Sequence, residues 1–409
     1  MSDKTKKLKS IKLPKGFRAS GVYSGIKGNN KLDLGLIFSE RTTVSTAAFT
    51  TNQVKAAPVK LSKKHLRRSD IRAVIVNSGN ANACNGKKGD DDALSMARCA
   101  ADSLGINPWQ VFICSTGIIG YPLPIDKIRN AAPDLASSLR VNGWKNFSEA
   151  IMTSDSVNKV ASTQINFGNK KITITGAAKG SGMIAPNMAT MLAFILTDAA
   201  ITQSELKIAT KIAVDESFNS ISVDGDMSTN DTVMVMANGA AKNSVLKKNS
   251  RNLSKFVEAL KKVMLNLSKQ LVKDGEGVSK FVTIEVNGAA TAKDARKVSK
   301  AVSESSLVKC SWNGSDPNWG RVIDAVGYSG AKIKEDKVDI FFGNFASAIG
   351  GVVASTPIQK LKNEVAKEEF TLRIELNLGN GSHRLFTSDL SEEYVAFNRL
   401  EYALKIQGH

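Results

Sequence analysis

The stretch Gly176 to Asp198, GAAKGSGMIAPNMATMLAFILTD, places a flexible glycine-rich approach, Pro186 and the small Ala189 ahead of Thr190, after which the chain turns continuously apolar. This setting suits a threonine whose hydroxyl must reach the carbonyl just before it. Attack on the Ala189 carbonyl would move the acyl group from nitrogen to oxygen, and hydrolysis of that ester would leave Thr190 as a new N-terminus. The freed α-amine, with an ordinary pKa of about 7.7 to 8.0, would then be the local base for the same hydroxyl. Such chemistry needs no histidine, and the chain has only His65, His383 and His409, far apart. The same residues equally suit a threonine that simply opens a buried strand, and the local sequence leaves both readings open. Acyl transfer also needs donors for a developing oxyanion. Ser115-Thr116-Gly117, directly after the run Val111 to Cys114, offers the Thr116 hydroxyl and the Gly117 N–H, or else an ordinary strand-end turn.

Other chemistries fit poorly. Gly180-x-Gly182 is followed by Ala185 and by a strand-like run, the reverse of the element order a dinucleotide fingerprint needs. No G-x-x-x-x-G-K-[ST] or Gly-x-Ser-x-Gly occurs. Cys84, Cys99, Cys114 and Cys310 form no C-x-x-C pair and read as small apolar residues, and no zinc set can be assembled. The acidic stretch Val223 to Asp231, VDGDMSTND, has Thr229 where a calcium loop needs glycine, and Val235, four residues beyond the stretch, stands where that loop needs its final glutamate. No metal and no cofactor is expected.

Composition is that of a globular protein: 409 residues, 42% hydrophobic, 23% charged, with a net charge of +18. A third of that excess lies in the first 18 residues; more lies in two basic stretches, Lys242 to Lys273 and Thr291 to Lys300, read as solvated helix faces. With only 6% aromatics there is little for base stacking, so no nucleic-acid partner is expected. The longest apolar run, Met188 to Thr197, has ten residues against the roughly 20 of a bilayer helix. No secretory signal is visible, and a reduced, cytoplasmic protein without membrane association is the expectation.

The elements that would position these residues are short β-type runs ending in glycine- or asparagine-rich segments: Ala73 to Val76 before NSGNAN, Val111 to Cys114 before STGIIG, and Lys171 to Thr175 before GAAKGSG. Further strands are predicted over 191–196, 232–236, 281–286, 338–342 and 371–376. Helical period appears over 202–218, where Thr202 and Glu205 suggest a capping box, and over 252–272. Strands and helices without strict alternation predict layered α/β or α+β architecture. No linker marks a domain boundary.

Together these segments resemble the ornithine acetyltransferase family, the bifunctional glutamate N-acetyltransferases of arginine biosynthesis. The likeness runs in order through GFRASGVYSGIK (Gly16 to Lys27), AAFTTNQVKAAPV (Ala47 to Val59), NSGNANACNG (Asn77 to Gly86), STGIIG (Ser115 to Gly120), GSGMIAPNMATML (Gly180 to Leu192), NSISVDGDMSTNDT (Asn219 to Thr232), KDGEG (Lys273 to Gly277) and DPNWGRVIDAVGYSG (Asp316 to Gly330). The resemblance implies an α/β (α+β layered) fold of the ornithine-acetyltransferase/DmpA-like type, with sheets packed against helices. It implies self-cleavage at Ala189/Thr190 into an α fragment, 1–189, and a β fragment, 190–409, that stay associated, most simply as an (αβ)2 heterotetramer. Thr190 would take acetyl from N-acetylornithine and pass it to glutamate, releasing ornithine; whether acetyl-CoA is a second donor is left open. Thr116 and Gly117 match the family's oxyanion pair, and Thr153, Lys179 and Glu276 its substrate-binding positions. Lys179 suits a carboxylate and Glu276 an α-ammonium. At the C-terminus, EYVAFNRLEYALKIQGH departs from the family's Y-V-x-I-N-A-x-Y-x-[ST]: Asn398 fits, but Tyr402 falls one place late and no hydroxyl residue follows. The alternative is an aminopeptidase or amidohydrolase of the same fold, with an N-terminal nucleophile that transfers the acyl group to water.

Overall fold

The computed structural model describes residues 11–28, 30–68, 70–185 and 191–407, without the side chains of 400–407. Ala189, Thr190 and His409 therefore lie outside the described residues. The chain divides into two compact units, one formed by 1–180, 187–219 and 227–271, the other by 181–186, 220–226 and 272–409. Because the chain passes between the units several times, no single linker exists for composition to reveal. This division is separate from the chemical one expected at 189/190.

The first unit contains β1 (Phe17–Val22), β2 (Leu34–Ser39), β3 (Val44–Phe49), α1 (Ala57–Leu66), β4 (Ala73–Asn80), α2 (Gly86–Leu104), β5 (Val111–Ile118), α3 (Ile125–Ser137) and α4 (Trp144–Ala150). It continues with β6 (Lys159–Phe167), β7 (Lys170–Lys179), β8 (Leu192–Thr197), α5 (Gln203–Asp215), β9 (Thr232–Ala237) and α6 (Leu253–Lys273). Two sheets form, ordered β1-β2-β4-β5 and β3-β9-β8-β7-β6. The alternation within β4 sorts its two faces: Val74 and Val76 join Phe112, Phe194, Leu196, Met234 and Met236 between the sheets, whereas Ala73 and Ile75 meet Ala93, Met96 and Ala97 of α2. On the far side, Leu267 of α6 lies against the Gly176 backbone and Gln203 of α5 donates to the Ser45 carbonyl at 2.7 Å. The unit is thus a helix–sheet–sheet–helix sandwich, and the unbroken apolar run LAFILT of β8 follows from burial on both faces.

The second unit contains β10 (Phe281–Ala289), α7 (Ala292–Glu304), α8 (Ser306–Asn313), α9 (Trp319–Gly327), β11 (Asp339–Phe342), β12 (Phe345–Ile349), β13 (Val352–Val353), α10 (Ile358–Val365), β14 (Glu369–Glu375), β15 (Gly381–Ser388) and α11 (Glu392–Gln407). Its six strands run β13-β12-β11-β14-β10-β15, with β10 parallel to β14 and antiparallel to β15. Val282, Ile284 and Val286 pack against Val298, Val302 and Trp312 on one face, while Glu285 pairs with Arg384 at 3.0 Å on the other. That is the alternation expected of a sheet covered on one side.

The layered α/β expectation holds. The predicted capping box does not form: Thr202 sits at the α5 N-cap but makes no capping bond, its hydroxyl lying 3.2 Å from that of Ser204. Of the basic stretch Lys242 to Lys273 only Leu253–Lys273 is helical; there Lys255 and Lys262 are exposed and Lys261 pairs with Glu216 and Glu258, a solvated face. Of the cysteines read as small apolar residues, Cys114 is buried and Cys99 half-buried, whereas Cys84 and Cys310 are exposed and depart from that reading. Among the described residues no helix is long and apolar enough to cross a membrane, and no cluster of His, Cys, Asp or Glu is placed to hold a metal ion.

Candidate active site

In the first unit, β5 runs beyond its apolar part, so Thr116 and Gly117 stand on the strand rather than in a turn after it. The cause is the parallel ladder with β4, which continues through Ser78–Thr116 and Gly79–Gly117 before shifting register at Asn80. The approach is too close for a side chain at position 117: a Cβ there would lie 2.3 Å from the Gly79 carbonyl carbon and 2.4 Å from the Asn80 nitrogen, and φ is +137°.

Lys179 closes β7. Its ammonium, almost wholly buried, donates to the Thr116 hydroxyl oxygen at 3.2 Å and to that of Thr153 at 2.7 Å. Each hydroxyl accepts from Lys179 and so retains its own proton for another acceptor, which the ammonium makes a better donor. Four of the expected residues, Thr116, Gly117, Thr153 and Lys179, are therefore brought to one place by the ends of β5 and β7 and the segment preceding β6.

Behind them lies a carboxylate that motif reading passed over. Asp155 accepts from the Thr153 amide at 2.9 Å, the Gly180 amide at 2.7 Å and the Lys159 ammonium at 2.5 Å; the side chains of the ion pair are completely shielded from solvent. Burial alone would raise its pKa, but the charges of Lys179 and Lys159 and the Gly180 amide outweigh this and hold it at about 2. Nearby, Lys27 donates to the Met152 carbonyl at 2.5 Å; burial first, and then the charge of Lys179 against the opposing pull of Asp33, lowers its pKa to about 8. The only local signal for Asp155 was its place in TSD, an aspartate able to bond neighbouring backbone amides.

Two more residues were missed although they lie inside the quoted string STNDT. Asn230, buried, donates to the Ala81 carbonyl at 2.6 Å and the Ser115 carbonyl at 2.8 Å. Asp231, also buried, accepts from the Met191 amide at 3.0 Å through Oδ1, while Oδ2 has no hydrogen-bond partner among the described residues. Burial pushes its pKa well above the carboxylate range, only partly opposed by the Met191 amide and Lys179.

The second unit gathers Glu276 and Asn398. The Glu276 amide donates to the Ser181 carbonyl at 2.9 Å, and its carboxylate packs on Gly182, where a Cβ would come within 2.6 Å of Oε2. Asn398, on α11, donates to Glu276 Oε2 at 3.3 Å. Alongside, Asp224 accepts from the amides of Met183 and Ile184 at 2.5 and 2.8 Å and from the Tyr394 hydroxyl at 3.3 Å. A carboxylate flanked by an amide is suited to an ammonium group.

The arrangement has known counterparts in sequence. The ArgJ family model matches residues 18–402. The arginine biosynthesis bifunctional protein ArgJ of Geobacter sulfurreducens is 46% identical over 94% of this chain and 98% of its own, and that of Caldanaerobacter subterraneus 45% identical over 95% and 97%. A solved structure of the arginine biosynthesis bifunctional protein argJ from Bacillus halodurans, 36% identical, covers 50% of this chain and 97% of its own with a TM-score of 0.49. With a family match running nearly end to end and relatives of such identity over almost their whole length, the chain belongs to the ArgJ family.

Proposed function

We propose that this chain is a self-cleaving acetyltransferase of arginine biosynthesis, moving acetyl from N-acetyl-L-ornithine to L-glutamate through an ester on Thr190. The observation that carries the reading, beside family membership, is the buried ammonium of Lys179 on the hydroxyls of Thr116 and Thr153, next to Gly117. After cleavage at Ala189/Thr190, the Thr190 amine takes the proton of its own hydroxyl as the oxygen attacks the acetyl carbonyl. Thr116 Oγ–H and the Gly117 N–H receive the oxyanion. The C–N bond then breaks, its nitrogen takes the proton, and ornithine leaves. The amine of glutamate attacks the ester in turn, giving N-acetylglutamate and restoring Thr190. Lys179 is assigned a substrate carboxylate, Thr153 its orientation, and Glu276 with Asn398 an ammonium group.

The cycle uses no cofactor. The relatives are named bifunctional, and on that basis acetyl-CoA is a second acetyl donor for this chain. The fragments 1–189 and 190–409 stay associated as an (αβ)2 heterotetramer in the cytoplasm. Intact-mass analysis tests the nucleophile: wild type gives two pieces with Thr190 at the new N-terminus, and Thr190→Ala one. An uncut wild-type chain that still transfers acetyl would sink the mechanism. Supplying N-acetylornithine with and without glutamate separates transfer from hydrolysis, since free acetate released at a rate indifferent to glutamate belongs to the amidohydrolase alternative. The same assay with acetyl-CoA decides the second donor.

A further inference from the structure

The residues assigned to the oxyanion stand on β5, in one sheet of the first unit, and the strand that follows the nucleophile in sequence, β8, belongs to the other. Catalysis by preorganised donors tolerates errors of only a fraction of an ångström, so something must set the two strand ends against each other. We propose that the dipeptide Asn230-Asp231, at the entrance to β9, is a positioning device that couples the oxyanion strand to the nucleophile strand; this rests on the function proposed above.

The geometry is specific. The Thr229 hydroxyl donates to Asn230 Oδ1 at 2.6 Å, which turns the amide nitrogen toward the two carbonyls, Ala81 and Ser115, that flank the register shift between β4 and β5. The Ser115 carbonyl belongs to the same planar peptide as the Thr116 N–H, so holding the oxygen sets the plane from which Thr116 and then Gly117 depart. Asp231 takes the opposite partner. Its Oδ1 accepts from the Met191 amide, and Met191 returns a backbone bond by accepting from Thr232 at 3.1 Å. Met191 is covalently the next residue after Thr190, so this contact holds the first described residue beyond the nucleophile. Two adjacent side chains, both buried, therefore grip one strand end each.

Asn230 acts through Thr116 and Gly117, so its removal should change kcat and leave ground-state binding alone. Asn230→Ala, assayed after cleavage, is expected to lower kcat about 10- to 100-fold with KM for N-acetylornithine within about twofold of wild type. In a cycle with Thr116→Ala, the loss in the double variant should fall well short of the product of the two single losses, the remainder being the part that acts through the Gly117 N–H. Wild-type kcat in a folded Asn230→Ala, or losses that multiply in the double variant, would overturn the assignment. If Asn230→Ala fails to fold, as judged by its circular dichroism melt, Asn230→Ser, which keeps one short donor, serves in the same cycle with the same two criteria. For Asp231, the alanine variant is expected to slow appearance of the 190–409 fragment at least tenfold, with most of the rate recovered in Asp231→Asn, which retains the acceptor. Equal cleavage by Asp231→Ala and wild type would refute that half. An uncut wild type speaks against the Thr190 nucleophile itself, whereas the kcat coupling of Asn230 with Thr116 is read from acetyl transfer and stands or falls separately.

Discussion

Replacing Asp155 by asparagine removes one charge and almost no volume, which makes the energetic consequence calculable. The carboxyl is held at about 2 against an ordinary 3.8, so its ionised form is favoured by roughly 2.5 kcal/mol in the folded state at neutral pH. Because the folded pKa is depressed, that stabilisation is present above about pH 4 and fades as the pH falls toward 2. The substitution would also leave the Lys159 ammonium, wholly shielded from solvent, without its carboxylate, a loss of about 3–5 kcal/mol when one member of a buried pair is removed. The second figure governs, since it includes the desolvated charge left behind. For a unit of this size the melting midpoint at pH 7 should fall by on the order of 10 °C, followed by circular dichroism or differential scanning fluorimetry. Lys159→Met in the Asp155→Asn background should recover much of it, since two opposite charges leave together. The KM for substrate should rise in the single variant, because asparagine keeps only one acceptor oxygen, so one of the Thr153 and Gly180 amides beside Lys179 is left facing an NH2 group. An Asp155→Asn protein melting within about 2 °C of wild type, or a double variant no better than the single, would refute the reasoning.

Other perturbations follow from the same geometry. Gly117→Ala should abolish acetyl transfer and lower the melting midpoint, since its Cβ has no space between strands and φ is left-handed; a soluble, active Gly117→Ala enzyme contradicts this. Gly182→Ala should displace the Glu276 carboxylate and raise the KM for ornithine substrates about as much as Glu276→Gln does, as steady-state kinetics would reveal. Asp231→Asn should be more stable than wild type at pH 7: a carboxyl whose folded pKa is raised by burial loses stability as pH climbs from about 4 toward that pKa, and asparagine does not titrate. The difference in melting midpoint should therefore shrink toward pH 4, and a constant difference across that range would exclude a raised carboxyl.

Much of the layout was legible in the residues. Runs such as AVIV, VFIC, KITIT and FVTIEV became strands because β-branched and aromatic residues recur in them, and most boundaries moved by only a few positions. The main exception was the polar end of β5: the apolar run alone places STG just after the strand, whether as oxyanion donors or as a strand-end turn, yet pairing with β4 carries the ladder through Gly117. Local propensity cannot report a neighbour 38 residues earlier. Asp155 escaped for a related reason. Its role depends on Gly180 and Lys159, and only folding puts the end of β7 beside the start of β6.

Sequence by itself determined the chemistry on offer: a threonine behind a glycine-rich approach, a chain too poor in histidine for a His-based triad, and a series of motifs specific enough to indicate the family. Those are covalent facts, present before any folding. Tertiary structure decided which polar groups share a buried place. It put Lys179 on the hydroxyls of Thr116 and Thr153, set Asp155 and Lys159 behind them, and placed Asn398 against Glu276. The physical reason is that hydrogen bonds and ion pairs act over about 3 Å, and residues separated by up to 122 positions come within that reach only through packing of sheets and helices.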